Sequence, residues 1–238
     1  QAILLPNSWK SALVPFFANI PRRTGWRGEM RYGVLNDVRV LDKQKYPLMI
    51  ERFAALAFAE NEKLPTSLPY PQLLIDDSEQ QQALQKYALD LQKPVLALCP
   101  GAEFGPAKRW PEQHYASVAS ERIAAGDQVW VFGSQNDAEV AEAIRSALPS
   151  HQREFCLNLA GKTALAEAID LLSCANAVVS NDSGLMHIAA ALQRPLVAVY
   201  GSSSPQFTPP LSSDVEIVRS GIECSPCFQR ECPLGHLK

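Results

Sequence analysis

The sequence lacks several features that would assign it to a particular class of protein. It has no apolar run that approaches the roughly 18 residues of a membrane-spanning helix. Its six cysteines in 238 residues are too few for a disulfide-stabilised scaffold. Its formal net charge of −3 argues against a general nucleic-acid-binding protein, so we expect no nucleic-acid partner. An ordinary globular composition remains, with 47% hydrophobic and 20% charged residues.

Two common phosphate-binding motifs are also missing. The chain contains neither Gly-x-Gly-x-x-Gly nor Gly-x4-Gly-Lys-Ser/Thr, which argues against a standard dinucleotide site and against a P-loop. It also has no internal repeat at a fixed period. A phosphate site built from a helix N-terminus, a lysine and scattered glycines remains compatible with the sequence.

The stretch from residue 177 to residue 201 is typical of a ligand site at the end of a strand. Its pattern predicts a buried strand over 177–179, a turn, an apolar helix over 185–192 and a second strand over 196–200. The first amides of a helix have no partner within the helix and carry the positive end of its dipole. The turn at 181–184 therefore suits an anion.

Four residues of this turn and helix are candidates for binding. Gly184 would let the backbone approach an anion closely, and Asp182 could cap the helix or accept hydrogen bonds from sugar hydroxyls. His187 lies one helical turn after Ser183, so both side chains could face the same ligand. In an isolated turn, capping by Asp182 and Ser183 and packing by His187 would be the better explanation, but the rest of the chain favours binding.

The rest of the chain from residue 94 alternates strands with helices, which predicts a parallel sheet with right-handed crossovers. Strands are predicted over 95–98, 128–132 and 157–160, and helices over 114–125, 137–148 and 165–174, in addition to those above. Lys108, Asp137 and Thr163 follow three of these strands. Because such loops meet at one edge of a parallel sheet, a nucleotide site is predicted there. Lys108 would neutralise a phosphate, and Asp137 would suit ribose hydroxyls.

The first 72 residues form a separate part of the chain. Helices are predicted over 9–18 and 49–60, prolines at 65, 69 and 71 predict an extended linker, and a polar helix follows over 78–91. We therefore expect two domains, 1–72 and 73–238. The chain begins with Gln1 rather than methionine, so both termini of a longer protein are expected to be missing and the N-terminal domain to be incomplete.

Two clusters leave alternatives open. Four arginines, Arg22, Arg23, Arg27 and Arg31, lie in the segment 21–31, which could be a mobile loop that grips an anionic acceptor or an ordinary solvated loop. Near the end of the chain, the spacing of three cysteines and a histidine could bind a metal ion, or the thiols could be reduced and packed in a loop. These residues are Cys224, Cys227, Cys232 and His236.

At the strand ends the sequence resembles a known family of enzymes. Cys99-Pro-Gly-Ala-Glu-Phe-Gly-Pro-Ala-Lys-Arg-Trp-Pro111 and Ser180-Asn-Asp-Ser-Gly-Leu-Met-His187 are similar to motifs of the ADP-heptose:lipopolysaccharide heptosyltransferases, glycosyltransferase family 9, and within it of the type II enzymes. Further similar segments are 5–15, 23–33, 132–134 and 200–205. The resemblance covers nearly the whole chain.

The resemblance implies an α/β protein of GT-B type, with two Rossmann-like domains built on parallel sheets. It implies an inverting transfer of L-glycero-D-manno-heptose from ADP-heptose to the first heptose of the lipopolysaccharide inner core. The alternatives are another GT-B sugar-nucleotide enzyme, such as a 2-epimerase, or a non-catalytic nucleotide-binding fragment. The lipid-anchored acceptor further implies peripheral contact with the inner face of the cytoplasmic membrane.

The resemblance also assigns roles to residues. Those implied to bind the donor are Lys108, Asp137, Thr163, Asp182, Ser183, Gly184 and His187, with Thr163 near the adenine. Those implied to face the acceptor are Lys10, Arg27 and Arg31. The family's general base is an aspartate in the first glycine-containing loop of the N-terminal domain, a loop outside this sequence, so no catalytic residue is assigned. We expect no cofactor and no catalytic metal ion.

Overall fold

The structure, a computed structural model, describes residues 1–60 and 62–235. The chain divides into two compact units. Residues 1–69 and 206–208 form the first unit, and residues 70–205 with the segment from 209 onward form the second. Among the described residues, no helix combines the length and the apolar character needed to cross a membrane.

The first unit is built on a three-stranded parallel sheet in the order β1-β2-β3. Its strands are β1 (Ala2–Leu4), β2 (Arg23–Trp26) and β3 (Asp37–Arg39). Its helices are α1 (Trp9–Phe17) and α2 (Met49–Ala55). The predicted start of α1 is confirmed, because the Ser8 hydroxyl caps this helix by accepting a hydrogen bond from the Ser11 amide at 3.3 Å.

Helix α2 is shorter than the predicted 49–60. The reason is a long-range contact that the local sequence does not reveal. The guanidinium of Arg39, 3% exposed, donates hydrogen bonds to the carbonyl oxygens of Ala55 and Phe58 at 2.9 and 2.6 Å. These carbonyls at the helix end are thereby satisfied without a further helical turn.

The arginine-rich segment 21–31 is also more ordered than a mobile loop. Residues Arg23–Trp26 form strand β2, the middle strand of its sheet. Arg31 is only 2% exposed, and its guanidinium donates to the carbonyl oxygens of Trp26 and Pro6 at 2.6 and 2.8 Å. Burial lowers the pKa of Arg31, and nearby Glu29 opposes that shift. Neither alternative, a mobile loop or a solvated loop, describes this segment, because Arg23–Trp26 belong to the sheet and Arg31 is buried at its end.

The second unit contains a six-stranded parallel sheet in the order β6-β5-β4-β7-β8-β9. Its strands are β4 (Val95–Cys99), β5 (Gln128–Val131), β6 (Cys156–Asn158), β7 (Ala177–Asn181), β8 (Leu196–Tyr200) and β9 (Val215–Arg219). Its helices are α3 (Asp77–Lys86), α4 (Glu112–Ala124), α5 (Ala138–Ala147), α6 (Leu165–Leu172) and α7 (Gly184–Ala191). The order reverses between β4 and β7, which is where open α/β sheets bind ligands.

Helices cover both faces of this sheet. On one face, α3, α6 and α7 pack over Trp130 of β5 and Val178 of β7, both fully buried. On the other face, α4 and α5 pack over Leu98 of β4 and Val131 of β5, which are equally buried. Burial on both faces explains why the sequences of the central strands are continuous apolar runs, without the alternation of apolar and polar residues seen in half-exposed strands.

The predicted alternation of strands and helices over 94–200 is confirmed, and each predicted boundary there lies within two residues of the observed one. Helix α3, predicted over 78–91, ends at Lys86 because Ala88 adopts a φ of 51°, which a helix does not allow. Strand β9 was not predicted. It lies at the edge of the sheet and is largely exposed. Its sequence therefore lacks the continuous apolar run by which the buried strands were predicted.

We predict that Arg31→Ala lowers the free energy of unfolding by about 3 kcal/mol, because it leaves buried carbonyl groups unpaired. The matched change Arg27→Ala removes an exposed arginine of the same segment and should cost less than about 0.5 kcal/mol. Urea unfolding of both variants measures the difference. Equal stabilities for the two variants would contradict the structural role of Arg31.

Candidate functional site

The candidate site lies at the carboxyl ends of β4 and β7, where the strand order reverses. Two loops meet there. The first, which we call the lysine loop, comprises residues 100–110 and follows β4. The second is the turn at 182–183 between β7 and α7.

Asn181, the last residue of β7, fixes the lysine loop to the sheet. Its side-chain amide donates to the Pro100 carbonyl at 2.6 Å. Its side-chain oxygen Oδ1 accepts hydrogen bonds from the Trp110 backbone amide at 3.1 Å and from the Tyr115 hydroxyl at 3.0 Å. Asn181 is fully buried. The sequence marks it only as a turn residue, so its role in holding both ends of the loop was missed.

The central feature of the site is an ion pair between the two loops. The Lys108 ammonium donates to Asp182 Oδ2 at 2.6 Å, and the Ser203 hydroxyl donates to the same oxygen at 2.5 Å. The Asp182 side chain is 6% exposed. The ammonium also lies 5.2 Å from the centre of the Phe104 ring. These contacts orient Lys108, and they show that the Asp182 carboxylate is engaged with Lys108 and Ser203 instead of capping α7.

Helix α7 begins at Gly184 with its N-terminal amides facing the site. Ser183 is its N-cap residue with extended backbone angles, and its side chain makes no capping hydrogen bond to any described residue. A Cβ atom added to Gly184 would meet no described atom within 4 Å. The amides at the positive end of the helix are therefore accessible to an anion, as the sequence predicts.

A cleft of about 440 Å³ extends from this helix end across the sheet edge. It brings together four of the predicted donor-binding residues, Asp137, Thr163, Ser183 and Gly184. Apolar side chains complete it: Leu165, Ala168, Leu185 and Ile188. A cleft with an apolar wall, a carboxylate and free amides has the surfaces that a nucleoside diphosphate requires.

Asp137 lies in this cleft against two glycines. Its Oδ2 atom accepts hydrogen bonds from the Ser134 amide at 2.9 Å and from the Ser134 hydroxyl at 2.7 Å. A Cβ atom on Gly101 would come within 2.8 Å of the carboxylate, and one on Gly133 within 2.7 Å of the Asp137 Cβ. The other carboxylate oxygen, Oδ1, is 4.0 Å from the nearest nitrogen of Arg109, which is too long for a hydrogen bond. Oδ1 therefore retains the capacity to accept from a ligand.

His187 lies on α7, close enough to Asp182 and Lys108 for both charges to affect its pKa. Desolvation lowers the pKa of its imidazole, Asp182 opposes this shift, and Lys108 adds to it. The net direction is downward, so the neutral imidazole is favoured. A neutral ring can accept as well as donate a hydrogen bond, which suits contact with a sugar hydroxyl.

The predicted acceptor-side residues belong to the first unit and differ in exposure. Lys10 and Arg27 are exposed, and Arg31 is buried and bonded to backbone carbonyls. Acceptor contact thus stays a prediction for Lys10 and Arg27. We assign Arg31 to the packing of the first unit instead.

The cysteines differ in burial. Cys99 and Cys156 are fully buried, and burial raises the pKa of each thiol to about 12. Cys174 is half-buried. Cys224, Cys227 and Cys232 are half-buried, and His236 lies outside the described residues. Within residues 1–60 and 62–235, no three metal-ligating side chains are grouped closely enough to hold an ion.

Comparison with known proteins identifies the family. The model of glycosyltransferase family 9 (heptosyltransferase) matches residues 1–238. The chain belongs to glycosyltransferase family 9. This membership agrees with the resemblance that the motifs at 99–111 and 180–187 carry.

Two relatives are identical to this chain at about half of the aligned positions. It is 54% identical to lipopolysaccharide heptosyltransferase 2 of Escherichia coli K12 over 224 residues, which are 92% of this chain and 64% of that protein. It is 53% identical to lipooligosaccharide heptosyltransferase 2 of Haemophilus influenzae over 228 residues, 92% of this chain and 65% of that protein. The chain thus spans slightly less than two thirds of these family 9 relatives.

A solved structure gives the same result at the level of the fold. The structure of E. coli ADP-heptose lps heptosyltransferase II superimposes with a TM-score of 0.87 at 54% identity, covering 91% of this chain and 67% of that one. The predicted α/β fold of GT-B type with parallel sheets is confirmed.

We predict that the His187 imidazole titrates below its ordinary pKa of about 6.5. The folded protein then binds this proton less tightly than the unfolded chain, so the contribution to stability is present above pH 6.5 and is lost as pH falls from there through the lower pKa of the folded protein. NMR titration measures the pKa directly, and Lys108→Ala should raise it because one repelling charge is removed. A pKa at or above the ordinary value in the wild-type protein would contradict the prediction.

Proposed function

We propose that this chain carries the donor-binding part of an inverting heptosyltransferase. The proposed reaction moves L-glycero-D-manno-heptose from ADP-heptose to the first heptose of the lipopolysaccharide inner core. The observation that carries the proposal is the ion pair of the Lys108 ammonium with Asp182, two residues before the N-terminus of α7, at the point where the strand order reverses. The names of the relatives at 54% and 53% identity support the choice of sugar and acceptor.

The cleft suggests how the donor would lie. The adenine would rest near Thr163 against the apolar wall, and the ribose hydroxyls would donate to Asp137 Oδ1. The diphosphate would meet the amides that follow Ser183 at the start of α7, together with Lys108. His187, one turn further along α7, would contact the heptose. Each of these positions is a proposal that a ligand complex tests.

The chemistry follows from this placement. An acceptor hydroxyl attacks the anomeric carbon while the bond from that carbon to the diphosphate oxygen breaks, and a general base takes the hydroxyl proton. Negative charge then grows on the departing ADP, where Lys108 and the dipole of α7 stabilise it. A metal ion is not required for this step in our proposal. We assign no residue of this chain as the base, which the resemblance locates in a loop outside the sequence.

The acceptor side of the proposal rests on two exposed cations of the first unit. Lys10 and Arg27 are exposed cations of the first unit that could attract the anionic inner core. Because this acceptor is lipid-anchored, the enzyme would act at the cytoplasmic face of the inner membrane as a peripheral protein.

A transfer assay on the full-length protein tests the function. We expect heptose transfer from ADP-heptose to an inner-core acceptor that already carries its first heptose, and none to a truncated acceptor that lacks it. Transfer to the truncated acceptor would identify a first-heptose enzyme instead. Release of free sugar or of an epimer without acceptor would favour the epimerase alternative.

We predict that Lys108→Ala weakens ADP binding by at least about tenfold, because it removes a cation from the diphosphate and leaves the Asp182 carboxylate to repel it. Lys93→Ala is the matched control. Lys93 is an exposed lysine just before β4, at the amino-terminal end of the strand and so at the opposite end from the candidate site. Isothermal calorimetry with ADP measures both variants. An unchanged affinity in Lys108→Ala would refute the proposed role of this lysine.

A further inference from the structure

The segment of residues 224–232, which we call the cysteine segment, packs against two loops of the candidate site. One is the lysine loop, and the other is the serine loop, residues 201–204, which follows β8. Each of these loops delivers one hydrogen-bond donor to Asp182 Oδ2: the Lys108 ammonium and the Ser203 hydroxyl. Whatever holds the two loops therefore also determines where the lysine points.

The cysteine segment holds the serine loop through two backbone carbonyls. The Ser225 hydroxyl donates to the Gly201 carbonyl at 2.6 Å. The Phe228 amide donates to the Ser202 carbonyl at 2.7 Å. These two bonds fix the residues that directly precede Ser203.

Arg230 holds the lysine loop in the same way. Its Nε–H donates to the Phe104 carbonyl at 2.8 Å, and its own carbonyl oxygen accepts from the Ala107 amide at 3.1 Å. Its guanidinium lies 5.8 Å from the centre of the Phe104 ring, and the Lys108 ammonium lies 5.2 Å from the same centre. Arg230 thus holds Phe104 and Ala107, on either side of Gly105 and four positions and one position before Lys108.

Gly105 shows how closely the lysine loop and the cysteine segment approach each other. A Cβ atom at this position would collide with the Arg230 carbonyl group. The residue has a φ of 156°, which few side chains tolerate. The Gly105 carbonyl then accepts from the Lys108 amide at 3.2 Å, which closes the turn that carries the lysine.

We propose that the cysteine segment is a positioning element of the donor site and that Arg230 is its positioning residue, which holds the lysine loop so that Lys108 faces the donor diphosphate. This inference rests on the proposed function. A long, flexible lysine on an unsupported loop would have to be ordered by each incoming ligand, which weakens binding. With the loop fastened at Phe104 and Ala107, this ordering is already present before the donor arrives.

A double-mutant cycle on the full-length protein tests the proposal, with ADP affinity measured by calorimetry. Arg230→Ala should weaken ADP binding by about tenfold. In a Lys108→Ala background the same change should cost less than about twofold, because Arg230 acts through the lysine. Arg230→Lys, which keeps a donor for the Phe104 carbonyl, should restore at least half of the lost binding free energy.

The matched control is Arg153→Ala. Arg153 is also exposed and also donates through Nε to a backbone carbonyl, that of Leu148 at 2.9 Å, in the turn before β6. ADP affinity should stay within about twofold of wild type in this variant. A variant that disturbs only the general stability of the unit would lower the melting temperature without this selective loss.

Three results would overturn the inference while the wild-type protein binds ADP. They are an unchanged affinity in Arg230→Ala, a full tenfold loss by Arg230→Ala in the Lys108→Ala background, and an equal loss in Arg153→Ala. Should Arg230→Ala fail to fold, Ser225→Ala replaces it, with a loss of about threefold expected and an unchanged affinity counting against the proposal. If the wild-type protein itself does not bind ADP, the proposed function fails instead.

Discussion

The ion pair between Lys108 and Asp182 is the contact on which the rest of the site depends. It joins the ends of β4 and β7, and Ser203 adds the end of β8 through the same carboxylate oxygen. An ammonium paired with a carboxylate has little net charge, so Asp182 does not add attraction for a diphosphate. Its contribution is to hold Lys108 beside the N-terminus of α7, where the dipole of that helix supplies further positive potential.

The parallel sheet makes this contact possible. Because the strand order reverses between β4 and β7, the loops after these strands diverge to opposite faces and leave a crevice. The buried Asn181 spans that crevice and fastens both ends of the lysine loop. Lys108 and Asp182, which we propose to act in donor binding, thus lie on loops, and Asn181 of the sheet fixes the loop that carries Lys108.

Much of this arrangement could be predicted from the sequence. The apolar runs and turn residues after residue 94 predict the strands, and residues such as Asp137 and Asp182 were identified because polar groups at the ends of parallel strands converge. The rest depends on contacts between distant residues. Arg230 and Phe104 are 126 positions apart, and the buried Arg31 donates to the carbonyl of Pro6, 25 positions away. No local pattern distinguishes an arginine that binds backbone from one that binds a ligand.

The central claim is that Lys108 and the first amides of α7 jointly hold the diphosphate of the donor. A crystal structure of the full-length protein with ADP tests it most directly. The account predicts diphosphate oxygens within about 3 Å of the Lys108 ammonium and of the amides that follow Ser183. A nucleotide whose diphosphate contacts neither group, or that lies at another edge of the sheet, would contradict the account.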